Sequence, residues 1–297
     1  MARLPCQLGR VIILGANGQL GSDLAKVLAE GDIINLGRAD LDICDFARTR
    51  KVITELEPQV VINAAAYNRV DDAEIEMQKA FEVNAFAVRR LAEICSHLKC
   101  VFVHVSTDYV FGGEKCSPYS EEDLPNPQNV YGASKLAGEY LVKSICSKYF
   151  VVRTSGLYGA AGSGGKGGNF VESMVRLAKE NRSIRVVSDQ IVSPTYSRDL
   201  ALTIKGLLQT DDYGIYHATN GGQCSWYEFA AKIFELLHLE PNFNGTTASA
   251  YGAKARRPAY SVLANAKLKS IGIDNLRFWP EALEDYLVEK KHQGPRA

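Results

Sequence analysis

The chain has 297 residues, 46% of them hydrophobic, and its 34 lysines and arginines balance 34 aspartates and glutamates. This length suffices for one large α/β domain with a smaller companion, and the balanced charge gives no basic excess for a nucleic-acid backbone. Since the apolar runs fall short of the roughly 20 residues that cross a bilayer and the N-terminal stretch is too short for a signal peptide, we expect a cytoplasmic protein without nucleic-acid or membrane partners.

Short β-branched runs alternate with longer segments of helical period through the first half of the chain. They are "RVIIL" then "QLGSDLAKVLAE", "DIINL" then "FARTRKVITELE", "QVVINAA" then "QKAFEVNAFAVRRLAEICSHL", and later "CVFVHVS" and "YFVVRTS". This rhythm predicts βαβ units and a parallel sheet covered on both faces. The last third, from "SWYEFAAKIFELLHL" to "WPEALEDYLVEKK", is helical with irregular joins and indicates a smaller lobe, to which the chain crosses more than once.

Three glycines, Gly15, Gly18 and Gly21, follow the first predicted strand and open the first predicted helix. Glycines placed in this way allow a tight turn and let the backbone approach a pyrophosphate at the helix N-terminus, where free N–H groups favour anions. The motif favours a dinucleotide site over a purely structural turn.

The end of the second predicted strand carries Arg38, where an acidic residue would bind a ribose 2′-hydroxyl. Arg38 can pair with a 2′-phosphate, which favours NADPH, although a solvated surface arginine is the alternative. Asp42 and Ile43 follow and are expected to border the adenine.

Tyr131 and Lys135 are spaced so that they share one face of a helix. A phenol whose pKa is lowered by a nearby ammonium can give a proton to a nascent alkoxide and recover it. About one Tyr-x-x-x-Lys spacing is expected by chance from this composition, so the spacing alone decides nothing.

Four polar residues, Ser106, Thr107, Asp108 and Tyr109, follow the strand "CVFVHVS". Ligands bind beyond the carboxyl ends of parallel strands, and Thr107 can hold a carbonyl oxygen beside Tyr131. An ordinary turn with side-chain caps is the alternative.

These motifs together resemble the extended short-chain dehydrogenase/reductase superfamily and, within it, the dTDP-4-dehydrorhamnose reductase family. The similarity rests on the three glycines, "NAAAY", "STDYVF" and "NVYGASKLAGE", and continues through "VVRTSGLYG", "GGNFVESMVRLAKE", "VSDQIVSPTY", "CSWYEFA" and "ARRPAYSVL" over nearly the whole chain. The resemblance implies a Rossmann-type doubly wound sheet in residues 1–155 and 195–222, with a nucleotide-sugar lobe in 156–194 and 223–297.

The resemblance also implies NADPH-dependent reduction, with NADH as the other possible cofactor, of the 4-keto group of dTDP-4-dehydrorhamnose to dTDP-L-rhamnose. Tyr131 would protonate the oxygen, Lys135 would hold the nicotinamide ribose and lower the tyrosine pKa, and Thr107 would orient the carbonyl. The residues expected to bind the cofactor are Gly15, Asn17, Gly18, Gln19, Leu20, Gly21, Arg38, Asp42, Ile43, Ala64, Ala65, Ala66, Tyr67, Ser106, Tyr131 and Lys135. Those expected to bind the dTDP-sugar are Thr107, Asp108, Tyr109, Asn169, Phe170 and Arg257, the last as a bidentate phosphate ligand.

Two positions separate related activities. Tyr109 follows Asp108 where nucleotide-sugar dehydratases of the superfamily carry a glutamate base, which favours a reductase. Gly156 stands where the reductase family commonly has a tryptophan near the sugar, so a large flat contact is expected to be missing. The alternatives are another nucleotide-sugar 4-ketoreductase or epimerase, or a non-catalytic regulatory subunit of the same fold.

The remaining features carry weaker predictions. "GAAGSGGKGG", residues 159–168, is either a lid beside the sugar site, with Lys166 near a phosphate, or a surface insertion. No metal-ligand spacing is present, so no metal is expected. The seven dispersed cysteines are expected to be reduced. Homodimers are common in the superfamily, so the resemblance allows a homodimer without predicting the oligomeric state.

Overall fold

A computed structural model of the protein describes residues 9–161 and 168–292. Its strands are β1 (Val11–Leu14), β2 (Ile33–Leu36), β3 (Val60–Asn63), β4 (Val101–Thr107), β5 (Tyr149–Thr154), β6 (Leu157–Tyr158), β7 (Ile184–Val187), β8 (Ile191–Val192), β9 (Thr195–Tyr196), β10 (Gly214–His217), β11 (Cys224–Ser225) and β12 (Phe243–Thr246). Its α-helices are α1 (Gln19–Val27), α2 (Phe46–Leu56), α3 (Val70–Ala73), α4 (Met77–Phe81), α5 (Ala87–Leu98), α6 (Val130–Ile145), α7 (Phe170–Lys179), α8 (Ser197–Leu207), α9 (Trp226–Leu236), α10 (Ala248–Tyr251), α11 (Ala266–Ser270) and α12 (Trp279–His292). A π-helical turn, Glu82–Phe86, joins α4 to α5, and a 3₁₀ turn, Asp108–Val110, follows β4.

Six parallel strands form the central sheet, in the order β10-β5-β4-β3-β1-β2. The sheet is covered on both faces, so the side chains on both sides of each strand are buried. The strands are therefore continuous runs rich in Val and Ile and do not alternate with polar residues. The predicted Rossmann-type parallel sheet is therefore confirmed. From β1 the chain adds β2 on one side, and it then adds β3, β4, β5 and β10 on the other side. Such a switch point in strand order opens a crevice beyond the carboxyl ends of the strands.

Separate apolar clusters cover the two faces of the sheet. On one face, Leu24 of α1 and Ile204 of α8 pack against β1 and β3. On the other face, Leu91 of α5 and Val142 of α6 are completely buried.

A third apolar cluster lies among α7, α9 and α12 and corresponds to the expected smaller lobe. Val171, Phe229 and Leu283 are among its most buried members. Leu268 and Leu276, however, pack in the core of the sheet with α1 and α8. Residues 266–276 therefore lie on the sheet, whereas the sequence placed all of 223–297 in the sugar lobe.

The glycine-rich stretch is only partly described. Residues 162–167, including Lys166, lie outside the described residues, so the predicted lid stays a prediction.

Six cysteines within the described ranges are free thiols: Cys44, Cys95, Cys100, Cys116, Cys146 and Cys224. None of the helices in these ranges combines the length and apolar character needed to cross a bilayer.

Candidate active site

Tyr131 lies in the first turn of α6, beside the carboxyl end of β4. Asn129 caps this helix, because its side chain accepts a hydrogen bond of 2.7 Å from the Gly132 backbone N–H. A Cβ on Gly132 would come within 2.2 Å of the Tyr109 carbonyl oxygen, so only glycine lets α6 approach the 3₁₀ turn this closely. Tyr131 and Thr107, two of the three residues expected to act in catalysis, line the same cavity, and Thr107 lies close enough to influence the pKa of Tyr131.

The pKa of Tyr131 is raised to about 12, mainly by burial; the Thr107 side chain lowers it and the Asp108 carboxylate raises it. We expected Lys135 to lower this pKa. The Lys135 ammonium instead donates a 2.6 Å hydrogen bond to the Val105 carbonyl and lies 3.4 Å from Nε2 of His104. Tyr131 is therefore protonated at neutral pH, which is the form that the reduction of a ketone requires.

Lys135 is 2% exposed, and this burial lowers its pKa to about 8 while the Glu139 carboxylate opposes the shift. Glu139 forms a buried ion pair with Arg153, with 2.7 Å between Oε2 and a guanidinium nitrogen. The Ser106 hydroxyl donates a 2.5 Å hydrogen bond to Oε1 of the same carboxylate. The expected cofactor residue Ser106 thus also anchors a buried charge cluster behind the catalytic set.

Asp108 holds three hydroxyl groups. Its carboxylate accepts hydrogen bonds from Thr107 at 3.0 Å, Ser155 at 2.8 Å and Ser261 at 2.6 Å. Burial raises the pKa of Asp108 to about 6, and the three hydroxyls partly offset it. Asp108 lines the cavity as expected for a sugar contact, but most of its bonds fix Thr107 and join β5 to the chain near residue 261.

The glycine turn forms an open cradle at the N-terminus of α1. Gly15 has φ +75°, and a Cβ on Gly21 would lie 2.3 Å from the Gly15 carbonyl oxygen. Gly18 caps the helix without a side-chain hydrogen bond, and the first turn holds no acidic residue. This arrangement leaves N–H groups available to an anion, so the residues fit the pyrophosphate of a dinucleotide.

Most expected cofactor residues near the catalytic set line one cavity of about 510 Å³. They are Gly18, Gln19, Leu20, Gly21, Ala64, Ala66, Ser106, Tyr131 and Lys135. The cavity therefore joins the glycine cradle to Tyr131 and Thr107.

The other expected cofactor residues have partners or lie elsewhere. Arg38 is 83% exposed and pairs with Asp42 at 3.4 Å, while Ile43 is buried in the core. The Tyr67 hydroxyl donates a 2.5 Å hydrogen bond to Glu76, and the Ala65 N–H donates to the side chain of its neighbour Asn63. The Asn17 side chain lies against Gly37 at the end of β2. Their cofactor roles stay predictions.

Two expected substrate residues are engaged by the protein itself. The Asn169 amide nitrogen lies 3.1 Å from each of Gln19 Oε1, the Gly159 carbonyl and the Tyr286 hydroxyl. The Arg257 guanidinium donates two hydrogen bonds, of 3.1 and 2.7 Å, to Asp71. Arg257 is not among the cavity-lining residues, because Asp71 on α3 already satisfies its fork of donors.

Two aromatic side chains line the same cavity as the catalytic set. Phe170 and Trp226 line it with ring centroids 4.7 Å apart. A Cβ on Gly156 would lie 3.5 Å from Trp226 Cη2, so the indole edge reaches the place where the sequence led us to expect no aromatic contact. Trp226 was missed because it is distant in sequence and directly precedes a core helix pattern.

Other residues missed by the sequence reasoning support Lys135 and Thr107. They are His104, Glu139, Arg153, Ser155 and Ser261, of which His104 and Arg153 carried a signal as polar residues within apolar strands. In residues 9–161 and 168–292, no group of three or more His, Cys, Asp or Glu is arranged to hold a metal ion.

Comparison with known proteins gives consistent matches over most of the chain. The model of the RmlD substrate binding domain family matches residues 9–292. The spore coat polysaccharide biosynthesis protein SpsK of Bacillus subtilis is 41% identical over 95% of this chain and 98% of its own length. A dTDP-4-dehydrorhamnose reductase of Aggregatibacter actinomycetemcomitans is 39% identical over 94% of this chain and 98% of its own. The crystal structure of dTDP-4-dehydrorhamnose reductase from Bacillus anthracis in complex with NADP has a TM-score of 0.90 and 43% identity, covering 95% of this chain and 99% of that one.

Proposed function

The chain belongs to the dTDP-4-dehydrorhamnose reductase family, and from this membership we propose that it uses NADPH to reduce the 4-keto group of dTDP-4-dehydrorhamnose, giving dTDP-L-rhamnose. The observation that carries the proposal is the presence of Thr107, Tyr131 and Lys135 together in the cavity that continues into the glycine cradle. The product serves polysaccharide biosynthesis, in keeping with the name of the relative SpsK.

The residues of the site divide the work of a ketone reduction. Bound NADPH supplies the hydride, which is the two-electron half of the reaction. Thr107 and Tyr131 bind the keto oxygen, and Tyr131 gives it the proton that completes the hydroxyl group. Asp108 fixes the Thr107 side chain through its 3.0 Å hydrogen bond. Lys135 lines the same cavity, where its ammonium would hold the cofactor ribose and supply positive charge during the proton transfer.

Replacing Gly21 by alanine should weaken NADPH binding at least about tenfold, because the new Cβ would collide with the backbone of Gly15 and Ala16 and distort the cradle. The Kd of NADPH, measured by fluorescence, checks this. Gly245→Ala is the matched control, since a Cβ there meets ordinary contacts of 3.4 Å or more. Equal NADPH affinity in the Gly21→Ala variant and the wild type would contradict the assignment of the cradle.

The rate should fall as the pH rises through about 8, the pKa to which burial lowers that of Lys135. The protonated ammonium is the active form, so activity is complete below this pKa and is lost above it. A kcat profile between pH 6 and 10 in the wild type checks this. In Lys135→Arg the residual activity should show no such decline, because arginine keeps its charge. A flat wild-type profile up to pH 10 would show that the ammonium charge does not act in the rate-limiting step.

The direct test mixes purified protein with NADPH and dTDP-4-dehydrorhamnose and follows the absorbance of the reduced nicotinamide. Oxidation well above that of Tyr131→Phe supports the proposal. A panel of other 4-keto nucleotide sugars tests the alternative of a related 4-ketoreductase or epimerase, which the glycine at position 156 favours. Stable co-purification with a larger enzyme, and no turnover of any keto sugar, would instead support a non-catalytic subunit.

We also propose the division into a cofactor domain and a sugar lobe, with residues 266–276 assigned to the sheet side because Leu268 and Leu276 pack there. A cytoplasmic location is supported by the free thiols. Homodimer formation stays allowed by the resemblance, and the absence of nucleic-acid binding stays a prediction from the sequence.

A further inference from the structure

Trp226 is held rigidly at the first position of α9. The preceding residue, Ser225, forms a capping box with Glu228, with hydrogen bonds of 3.1 and 2.7 Å between side chains and backbone N–H groups. The indole packs against Phe170 at 4.7 Å and Phe229 at 6.2 Å between ring centroids. It is half-buried and lines the cavity, so part of its surface is free to contact a ligand.

Gly156 keeps the approach to this indole open. Its φ of +54° lies in the left-handed region that favours glycine. An added Cβ would lie 3.1 Å from Pro194 Cα and 3.5 Å from Trp226 Cη2, so a larger side chain would occupy the space in front of the indole.

The indole and the reacting groups border one space. Thr107, Tyr131, Gly156 and Trp226 all line the same cavity. A sugar whose keto oxygen is bound by Thr107 and Tyr131 would therefore occupy the cavity that the indole lines.

The cavity lining combines two kinds of surface that a deoxysugar also has. Ser106, Thr107 and Tyr131 offer hydroxyl groups, and Phe170 and Trp226 offer aromatic carbon. A 6-deoxyhexose has hydroxyl groups for the first kind of surface, and C–H groups with a methyl group for the second.

We propose that Trp226 packs against the apolar face of the substrate's deoxysugar ring and that Gly156 keeps this contact accessible, which makes the pair a determinant of sugar specificity. The proposal rests on the proposed function. It places the indole on the sugar and not on the thymine base.

Tryptophan fluorescence tests this contact without turnover. The chain has two tryptophans, and Trp279 is 7% exposed in the core of the α7, α9 and α12 cluster. Titration of the wild type with dTDP-L-rhamnose should change the emission more than titration with dTDP. This extra change should persist in Trp279→Phe and disappear in Trp226→Phe.

Affinity gives the second readout. We expect Trp226→Ala to weaken dTDP-L-rhamnose binding about tenfold and dTDP binding less than twofold, with NADPH affinity unchanged as evidence of folding. Unchanged binding of dTDP-L-rhamnose would overturn the proposal, and so would an equal loss for both ligands, which would place the indole on the base. Failure of the proposed function looks different, because the wild type itself would then neither bind dTDP-L-rhamnose nor oxidise NADPH with the keto sugar.

Discussion

Replacing Tyr131 by phenylalanine should lower kcat by about 100- to 10,000-fold, the usual contribution of a positioned general acid. The phenylalanine keeps the ring that packs edge-on against Tyr109 at 6.0 Å but removes the proton donor beside Thr107. Because the cradle is untouched, the Kd of NADPH should stay within about twofold of the wild-type value. Steady-state kinetics and a binding titration on the same preparation check both statements.

Tyr140→Phe is the matched control for this substitution. Tyr140 lies on the same helix, α6, and is 58% exposed, so loss of its hydroxyl should leave kcat unchanged. A Tyr131→Phe variant with more than about a tenth of the wild-type kcat would remove Tyr131 from the role of proton donor.

Replacing Glu139 by glutamine should lower the free energy of unfolding by about 3–5 kcal/mol. The change leaves the Arg153 guanidinium, which is 3% exposed, without its countercharge in the core. Such a loss corresponds to a fall of roughly 10 °C in Tm, measured by calorimetry. The Glu139 carboxylate also raises the pKa of Lys135. In the Glu139→Gln variant this pKa should therefore be lower, and kcat should begin to decline at a lower pH than in the wild type.

Glu93→Gln is the matched control, because Glu93 pairs with Arg89 and Arg90 at the surface. Exposed pairs contribute about 1 kcal/mol or less, so its Tm should change little. The double variant Glu139→Leu with Arg153→Met should recover much of the stability, since it removes both charges. Equal Tm losses for Glu139→Gln and Glu93→Gln would contradict a special contribution of the buried pair.

The sequence predicted the sheet and the ends of its strands well because these depend on local patterns. Short continuous apolar runs specify β1 and β3, and glycine spacing specifies the turn between β1 and α1. The carboxyl ends of parallel strands meet at one edge, so the position of Thr107 followed from the order of the elements.

Contacts between distant segments could not be read in the same way. The Arg257 guanidinium donates a hydrogen bond to Asp71, 186 residues earlier in the chain. No local sequence pattern indicates that this carboxylate would bind the guanidinium in place of a substrate phosphate. A Cβ on Gly156 would contact the Trp226 indole, and the sequence showed only the missing side chain at position 156. The pKa of Tyr131 is raised mainly by burial, and the Lys135 ammonium donates to the Val105 carbonyl; both are properties of packing.

Isotope transfer tests the central claim most directly. The protein is incubated with dTDP-4-dehydrorhamnose and NADPH that carries deuterium at the transferable position of the nicotinamide, and the product is examined by mass spectrometry and NMR. We predict dTDP-L-rhamnose that contains one deuterium, at C4 of the sugar, with almost none formed by Tyr131→Phe. Wild-type protein that binds both NADPH and the dTDP-sugar but transfers no deuterium to C4 would contradict the assignment as a 4-ketoreductase.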